Sequence, residues 1–231
     1  MRLDQPTLSR RLAAEAVGTA LLLATVVGSG IMAERLAGGN IAIALLCNTV
    51  ATASGLIALI LMFGGVSGAH FNPVVTLADV AEGKMRIADG IAYLAVQCAG
   101  AVIGVWLAHA MFGEPVLMIS QHARPGWALA LSEAGATFGL LGTIRGVSKH
   151  QPSAVPFAVG AYIAAAYWFT ASTSFANPAV TIARSLTNTF AGIRPADVPL
   201  FLAAQCVGAA AAVVFFRWLL ASPNQSAEDV G

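Results

Sequence analysis

Two Asn-Pro sequences interrupt otherwise apolar stretches of this chain, and they constrain its fold more than any other feature. Proline fixes φ and lacks an N–H, so it fits the first turn of a helix, and the preceding Asn is a good N-cap. A helix that begins at membrane depth exposes free N–H groups, which a bilayer tolerates only beside a polar cavity or inside protein. Two such helix starts therefore predict a pore. Their residues are Asn72, Pro73 and Val74 in the first sequence and Asn177, Pro178 and Ala179 in the second.

The composition is that of a polytopic membrane protein. Of the 231 residues, 58% are hydrophobic and 10% are charged, whereas soluble domains carry about 25% charged residues. The net charge of +1 gives no electrostatic reason to expect nucleic acid as a partner. The cysteines Cys47, Cys98 and Cys206 lie in apolar segments without metal-ligand spacing, so we expect small, buried hydrophobic side chains. We predict a single domain over residues 1–231, with no metal and no cofactor.

Apolar segments of sufficient length predict six transmembrane helices, because crossing a bilayer takes about 20 apolar residues. We place these helices at about 11–33, 41–63, 89–112, 128–147, 154–171 and 197–220. The helices that begin at the Asn-Pro sequences, about 72–82 and 177–187, are too short to cross and are predicted to enter the membrane only halfway. The polar tail at 222–231 is predicted to be disordered.

Three landmarks recur in the same order in the two halves of the chain, which predicts an internal repeat. Glu15 recurs as Glu133, Gln97 recurs as Gln205, and the first Asn-Pro sequence recurs as the second. Because each copy crosses the membrane three times, the second copy must be inverted relative to the first. The two half-helices then enter from opposite faces and meet near the midplane. The copies are predicted to cover about 10–112 and about 128–220.

The distribution of positive charge predicts the orientation in the cell (inner) membrane, because cytoplasmic loops are enriched in Lys and Arg. Eight basic residues fall on the side of the N-terminus and four on the other, so we expect both termini in the cytoplasm. The eight are Arg2, Arg10, Arg11, Lys84, Arg86, Arg145, Lys149 and Arg217. The four are Arg35, Arg124, Arg184 and Arg194.

Together these features resemble the aquaporins, the major intrinsic protein family. The resemblance covers about 10–220 and is carried by Ser67 to Pro73, Asn177 to Ala179, and the paired glutamates and glutamines. It implies an all-α membrane protein with six transmembrane helices and two membrane-inserted half-helices, arranged as an inverted repeat around a central pore. It further implies a homotetramer in the lipid bilayer, with one pore in each subunit that passes small uncharged solutes downhill.

The asparagines have a predicted role in permeation. Asn72 and Asn177 would offer side-chain amides to the solute at the midplane. The two helix N-termini that face each other there would oppose cations and protons. The alternative is that the asparagines only cap two short helices, and the two roles are compatible.

Five further polar residues are predicted to support the pore loops. Glu15 and Glu133 are the carboxylates deep in predicted spans, and we expect them to accept hydrogen bonds from loop backbone; a proton relay is the alternative. Gln97 and Gln205 would join their helices to the loops by hydrogen bonds. His70 is expected to pack in its loop near the pore, with gating as the alternative.

One position departs from the family pattern. Most members carry Arg directly after the second Asn-Pro-Ala, whereas this chain has Val180, which lies three residues after Asn177 and therefore faces the pore. Counting back from the Asn-Pro landmarks without gaps places the other wall positions of the constriction at Thr52, Ala165 and Ser174. All four residues are small, so the sequence predicts a wide, weakly polar selectivity filter without a fixed cation.

Larger side chains lie close to the predicted filter in the sequence. Tyr167 and Trp168 lie close to Ala165, and a small shift of register would narrow the ring. Arg184 lies one turn beyond Val180 and is expected to point into packing or the vestibule; the alternative is that it compensates for the missing arginine.

A wide neutral filter predicts a broad passive channel. The expected solutes are water, glycerol-like polyols, neutral metalloids such as arsenite, and methylated arsenicals. In this departure the chain resembles the bacterial aquaglyceroporin branch that is linked to arsenic.

Three alternatives remain open at this point. An ordinary glycerol or water facilitator belongs to the same family. An ion-coupled secondary transporter also uses inverted repeats and broken helices, but it needs intramembrane ionisable groups, and only Glu15 and Glu133 qualify. An enzyme is not expected, because the chain has no Ser-His-Asp set, no HExxH and no phosphate loop.

Overall fold

A computed structural model describes residues 6–221, and all regular secondary structure in that range is helical. The predicted tail at 222–231 and Arg2 lie outside the described residues. One-turn 3-10 helices at Pro152–Ala154 and Pro195–Asp197 lead into the sixth and eighth helices. The α-helices are α1 (Leu8–Leu36), α2 (Ile41–Ser67), α3 (Pro73–Ala81), α4 (Ile87–Phe112), α5 (Trp127–His150), α6 (Val155–Phe169), α7 (Pro178–Arg184) and α8 (Val198–Leu219).

The lengths of the helices separate those that cross a membrane from those that do not. Five helices are long and apolar enough to span: α1, α2, α4, α5, and α8 with its leading turn. The α6 helix has 15 residues, and with its 3-10 turn it reaches about 28 Å, close to the ~30 Å hydrocarbon core. The nine residues of α3 and the seven of α7 are far too few to cross. The predicted all-α architecture of six spans and two half-helices is confirmed.

The contacts between helices follow the predicted repeat. In the first half α1 packs against α2 and α4, and in the second half α5 packs against α6 and α8. Each half-helix contacts both α4 and α8, so it is held by its own repeat and by the other one. The half-helices also contact each other, and α2 packs against α6. This pattern places the starts of α3 and α7 in the middle of the helix bundle.

Two glycines bring the helices that carry the paired glutamates and glutamines into close contact. A Cβ atom at Gly100 of α4 would overlap the carbonyl oxygen of Ala16 on α1, and a Cβ atom at Gly208 of α8 would overlap that of Ala134 on α5. Small residues allow such close backbone approach between membrane helices. The same two contacts, repeated in the two halves, keep the polar side chains next to Ala16 and Ala134 within reach of the neighbouring helix.

The cysteine prediction is wrong for two of the three residues. Cys47 on α2 and Cys206 on α8 are exposed, and Cys98 on α4 is half-buried. The helix surfaces that point away from the bundle carry many other exposed apolar side chains, such as Leu46 and Val207. An apolar side chain of a membrane helix needs no protein burial, because lipid tails are as apolar as the protein core. Apolar surroundings in the sequence therefore did not indicate burial.

Candidate pore and filter

The two half-helices begin at the asparagines, as the sequence predicts, and each asparagine caps its own helix. The Oδ1 atom of Asn72 accepts a hydrogen bond from the backbone N–H of Val74 at 3.1 Å. The Oδ1 atom of Asn177 accepts from the N–H groups of Ala179 at 3.0 Å and Val180 at 3.3 Å. Each cap satisfies backbone donors that a helix start otherwise leaves free.

The amide nitrogens of the same asparagines link the two halves of the chain. Asn72 Nδ2 donates to the carbonyl oxygen of Ala176 at 2.8 Å, and Asn177 Nδ2 donates to that of Phe71, also at 2.8 Å. The two bonds are reciprocal, since each asparagine binds the residue that precedes the other. An amide NH₂ group has two hydrogens, so each asparagine keeps one N–H for a solute.

Glu15 holds the loop before α3 with four hydrogen bonds. Its Oε1 atom accepts from Ser67 Oγ at 2.6 Å and from the His70 N–H at 3.0 Å. Its Oε2 atom accepts from the Phe71 N–H at 2.7 Å and from Gln97 Nε2 at 2.8 Å. Glu15 is completely buried, and its two oxygen atoms satisfy backbone donors of the loop that would otherwise lack a partner.

Glu133 has the equivalent role in the loop before α7. It accepts from the N–H groups of Phe175 and Ala176, both at 2.8 Å, and from Gln205 Nε2 at 2.6 Å. It is also completely buried. Glu15 and Glu133 therefore support the two loops, as the sequence predicts. Their hydrogen bonds occupy the carboxylate oxygen atoms that a proton relay would need.

The glutamines extend both clusters to the half-helices. Gln97 Nε2 lies 3.0 Å from Thr76 Oγ1, and Gln205 Nε2 lies 2.8 Å from Thr181 Oγ1. Each threonine hydroxyl donates in turn to the carbonyl oxygen of the asparagine that caps its half-helix. These threonines were not predicted, although their shared spacing of four residues from the asparagines is a signal that could have found them.

Strained backbone occurs at matching positions of the two loops. Ala69 and Phe71 have φ values of 50° and 47°, and Ser174 and Ala176 have values of 50° and 45°. These residues lie three and one positions before each asparagine. A non-glycine residue in this left-handed region costs about 1–2 kcal/mol, and the buried glutamates hold two of the four N–H groups concerned. Such conformations concentrate at functional sites because the surroundings must enforce them.

His70 connects its loop to α3 and α5. Its Nδ1 atom lies 3.0 Å from Thr76 Oγ1, and its Nε2 atom lies 3.2 Å from Asp79 Oδ2. Asp79 also pairs with Arg145 at 2.8 Å. The imidazole is therefore fixed at both nitrogens, which is the packing arrangement expected for it, and it lies beside the cavity described next.

Two cavities reach the paired asparagines from opposite sides. The α3 chamber has a volume of about 360 Å³. Its polar lining residues are His70, Asn72, Asp79, Lys84, Arg145, Ser148 and Asn177. The α7 chamber is much smaller, at about 50 Å³. Its lining residues are Leu22, Val26, Thr52, Asn72, Leu140, Ile163, Tyr167, Ser174, Phe175, Asn177, Val180 and Arg184.

Three of the four predicted filter residues line the α7 chamber, namely Thr52, Ser174 and Val180. The fourth, Ala165, is exposed on the outer surface of α6 and does not line it. Its predicted place is taken by Tyr167, whose hydroxyl donates to Thr52 Oγ1 at 3.3 Å. Residues two positions apart lie on nearly opposite sides of a helix, so an error of two residues in ungapped counting moved the prediction from the pore wall to the lipid side.

The expectation of a filter without a fixed cation is also wrong. Arg184 is 4% exposed and lines the α7 chamber together with Val180. Its guanidinium carbon lies 3.4 Å from the centre of the Phe175 ring, and its Nε donates to the carbonyl oxygen of Ala191. Residues four apart share a face of a helix, so the position of Arg184 relative to Val180 was a usable signal. Arg184 therefore gives this small chamber a positive charge, and Tyr167 places an aromatic ring in its wall.

A second arginine reaches the same region from the loop between the two repeats. Arg124 Nε donates to the carbonyl oxygen of Gly192 at 2.9 Å, and its guanidinium carbon lies 5.0 Å from the Phe175 ring centre. Burial, together with the positive charges of Arg124 and Arg184, lowers the pKa of the neighbouring His122. That loop therefore carries a histidine that resists protonation beside two arginines.

The half-helices that meet at two asparagines, with chambers on both sides, define this protein as a membrane channel. Its sequence matches the family "Major intrinsic protein" over residues 2–144 and 126–230. The chain belongs to that family, and it is a channel for small neutral solutes and not an enzyme.

The relatives and solved structures agree with this assignment. The chain is 53% identical over 213 residues to aquaglyceroporin AqpS of Rhizobium meliloti (strain 1021), covering 92% of this chain and 91% of that protein. It is 29% identical over 242 residues to the probable aquaporin AqpM of Archaeoglobus fulgidus, covering 92% and 98%. The X-ray structure of the aquaglyceroporin from Plasmodium falciparum has the same fold, with a TM-score of 0.66, 21% identity, and coverage of 91% and 96%.

Proposed function

We propose that this channel passes water, glycerol-like polyols and neutral metalloid hydroxides such as arsenite, each down its own gradient. The observation that carries the proposal is the lining of the two chambers, which combines polar and apolar side chains. Asn72, Asn177 and Ser174 offer polar groups, while Leu22 and Leu140 lie beside both asparagines in both chambers. A molecule with several hydroxyl groups and an apolar side can satisfy both surfaces at once.

Methylated arsenicals extend the proposal. Replacing one hydroxyl of arsenous acid with a methyl group keeps the size similar and adds an apolar face, which suits the leucine side of the path. The similarity to a protein named an aquaglyceroporin supports the polyol part. The small side chain of Val180 in the wall of the α7 chamber supports solutes larger than water.

The site residues have corresponding proposed roles. Asn72 and Asn177 donate to the solute at the midplane, and Thr52, Ser174, Val180 and Tyr167 form the wall of the filter. The buried glutamates and glutamines hold the loop carbonyls in place.

We further propose that the whole chain forms one domain that assembles as a homotetramer in the cell (inner) membrane, with both termini in the cytoplasm. The exposed apolar side chains of α2, including Ile43 and Val50, supply surface for contact with lipid or with other copies of the chain. The eight-to-four distribution of basic residues supports the orientation.

Proteoliposome swelling tests the function. Purified channel should speed the entry of water, glycerol, arsenous acid and monomethylarsonous acid relative to empty liposomes. Val180→Trp should block the α7 chamber and abolish this entry, whereas Ala165→Trp places the same side chain on the exposed face of α6 and should leave it intact.

Each contrary outcome has a definite meaning. Entry of water alone would make the protein a water facilitator and overturn the broad solute range. Uptake that depends on an imposed proton or sodium gradient would overturn the channel and favour a coupled transporter. Equal loss in the two tryptophan variants would show that the α7 chamber is not the route.

A further inference from the structure

We infer that Arg184 is the specificity-determining cation of the α7 chamber, where it donates to solute oxygen atoms and repels cations and protons. The inference deepens the proposed function and rests on it for the identity of the solutes. It places the positive charge of the filter on the second turn of α7, because the residue on the same face of the first turn is the uncharged Val180.

The geometry leaves the donor end of Arg184 free. Within residues 6–221, the only hydrogen bond of its guanidinium runs from Nε to the carbonyl oxygen of Ala191. The Nη1 and Nη2 atoms have no acceptor in that range and are not among the fully enclosed unpartnered atoms. Because Arg184 lines the α7 chamber, these atoms face the space through which a solute passes.

The guanidinium is also held in one orientation. It stacks on the Phe175 ring, with 3.4 Å between the guanidinium carbon and the ring centre, and the bond to Ala191 fixes its other edge. A planar group with two free amino ends can donate two parallel hydrogen bonds to neighbouring oxygens. Polyols and arsenous acid carry adjacent hydroxyl oxygens that fit such a pair of donors.

Among the described residues, no carboxylate forms a direct ion pair with Arg184. The ion pairs in residues 6–221 do not include Arg184. Arg124 lies over the same Phe175 ring and adds a second positive charge, and the hydrogen bonds of its guanidinium go to neutral backbone carbonyls. A fixed positive charge in a small chamber raises the energy of any cation that enters.

The small residue at 180 makes this arrangement possible. Val180 and Arg184 are four residues apart and share one face of α7. A long side chain at 180 would occupy the volume into which the guanidinium of Arg184 extends. Ser174 Oγ, which also has no hydrogen-bond partner within residues 6–221, lies on the same chamber and supplies a further polar contact.

The test compares four variants in proteoliposomes, measuring glycerol entry by light scattering and proton leak by an internal pH-sensitive dye under an imposed membrane potential. Arg184→Leu should raise the proton leak about tenfold or more. Adding Val180→Arg to Arg184→Leu should restore a guanidinium to the chamber and bring the leak back towards the wild-type value. Arg35→Leu removes the same charge from an exposed ion pair with Glu114 and should leave the leak unchanged.

Arg184→Lys keeps the inference falsifiable if Arg184→Leu fails to fold. Lysine keeps the charge and loses the paired donors, so the leak should stay low while glycerol entry changes severalfold. A wild-type leak in Arg184→Leu, or unchanged glycerol entry in Arg184→Lys, would overturn the inference. Absence of glycerol and arsenous acid entry in the wild-type protein would instead overturn the proposed function, because the leak measurement does not depend on it.

Discussion

The loops before the two half-helices share one hydrogen-bonded frame but open onto different chambers. In both loops a buried glutamate holds the backbone, a glutamine binds a threonine, and an asparagine reaches across to the other loop. The α3 chamber adds His70 and Asp79 and is about 360 Å³, whereas the α7 chamber adds Tyr167 and Arg184 and is about 50 Å³.

The comparison separates scaffold from selectivity. Residues that recur in both halves satisfy the backbone, which any loop at membrane depth must do. Residues that occur in one half only determine the width and charge of each chamber. Substitutions in the shared frame should therefore affect folding in both halves alike, while substitutions in the unshared residues should change permeation and leave folding nearly intact.

The largest effect is expected from the buried glutamates. Glu15→Gln or Glu133→Gln turns an NH₂ group towards backbone donors, and each buried donor left unsatisfied costs about 1–3 kcal/mol. Glu15 accepts four hydrogen bonds and Glu133 three, so Glu15→Gln should be the more damaging. Thermal unfolding in detergent, followed by tryptophan fluorescence, measures this. Glu114→Gln is the control, because Glu114 is only half-buried and pairs with Arg35 outside these loops. Comparable losses of stability in all three variants would refute the shared frame.

The cross-loop bonds should give a smaller and symmetric effect. Asn72→Asp and Asn177→Asp keep a good N-cap but lose the donor to the opposite carbonyl. Each variant should lose about 1–2 kcal/mol of stability, and the two losses should be similar. The same unfolding measurement applies. A loss confined to one variant would show that the loops do not support each other equally.

Tyr167 should affect permeation more than folding. Tyr167→Ala removes a ring from the wall of the small chamber, so erythritol entry should rise severalfold relative to glycerol entry in the swelling assay. The neighbouring Trp168 is half-exposed on the other side of α6, and Trp168→Ala is the matched control. An equal gain in both variants would contradict the assignment of Tyr167 to the filter.

The smallest expected effect concerns pH. Because the pKa of His122 is lowered in the folded protein, protonation disfavours folding. The stability it contributes is complete above the ordinary histidine value of about 6.5 and declines as pH falls through the folded value. The wild-type unfolding temperature should therefore drop between pH 8 and pH 5 by more than that of His122→Gln. Equal drops in unfolding temperature would show that Arg124 and Arg184 do not lower the pKa of His122.

The sequence predicted the frame well because its signals are local and duplicated. The starts of α3 and α7 follow from Asn-Pro chemistry, and the order of α1 to α8 follows from apolar length. The walls of the filter were harder to predict, because they depend on the register of α6 relative to α7. Ala165 and Tyr167 differ by only two residues, yet one faces outward and the other faces the pore.

Other failures have a different physical cause. Cys47 and Cys206 appeared buried because a membrane helix is apolar on every side, so its sequence has little contrast between core and surface. The α6 helix ends at Phe169, two residues before its predicted end, because Thr170 takes an extended conformation at the beginning of the loop.

The reciprocal bonds between Asn72 and Ala176 and between Asn177 and Phe71 also bear on how the protein is made. During synthesis the first half emerges before residue 176 exists, so the Phe71 carbonyl and the Asn72 amide must wait for their partners. The first half-helix can reach its final, fully bonded position only after the second has inserted from the opposite face. The last step in forming this channel therefore involves both halves at once. An isolated first repeat would lack the partners of its Phe71 carbonyl and Asn72 amide, so it would not contain a complete half of the pore.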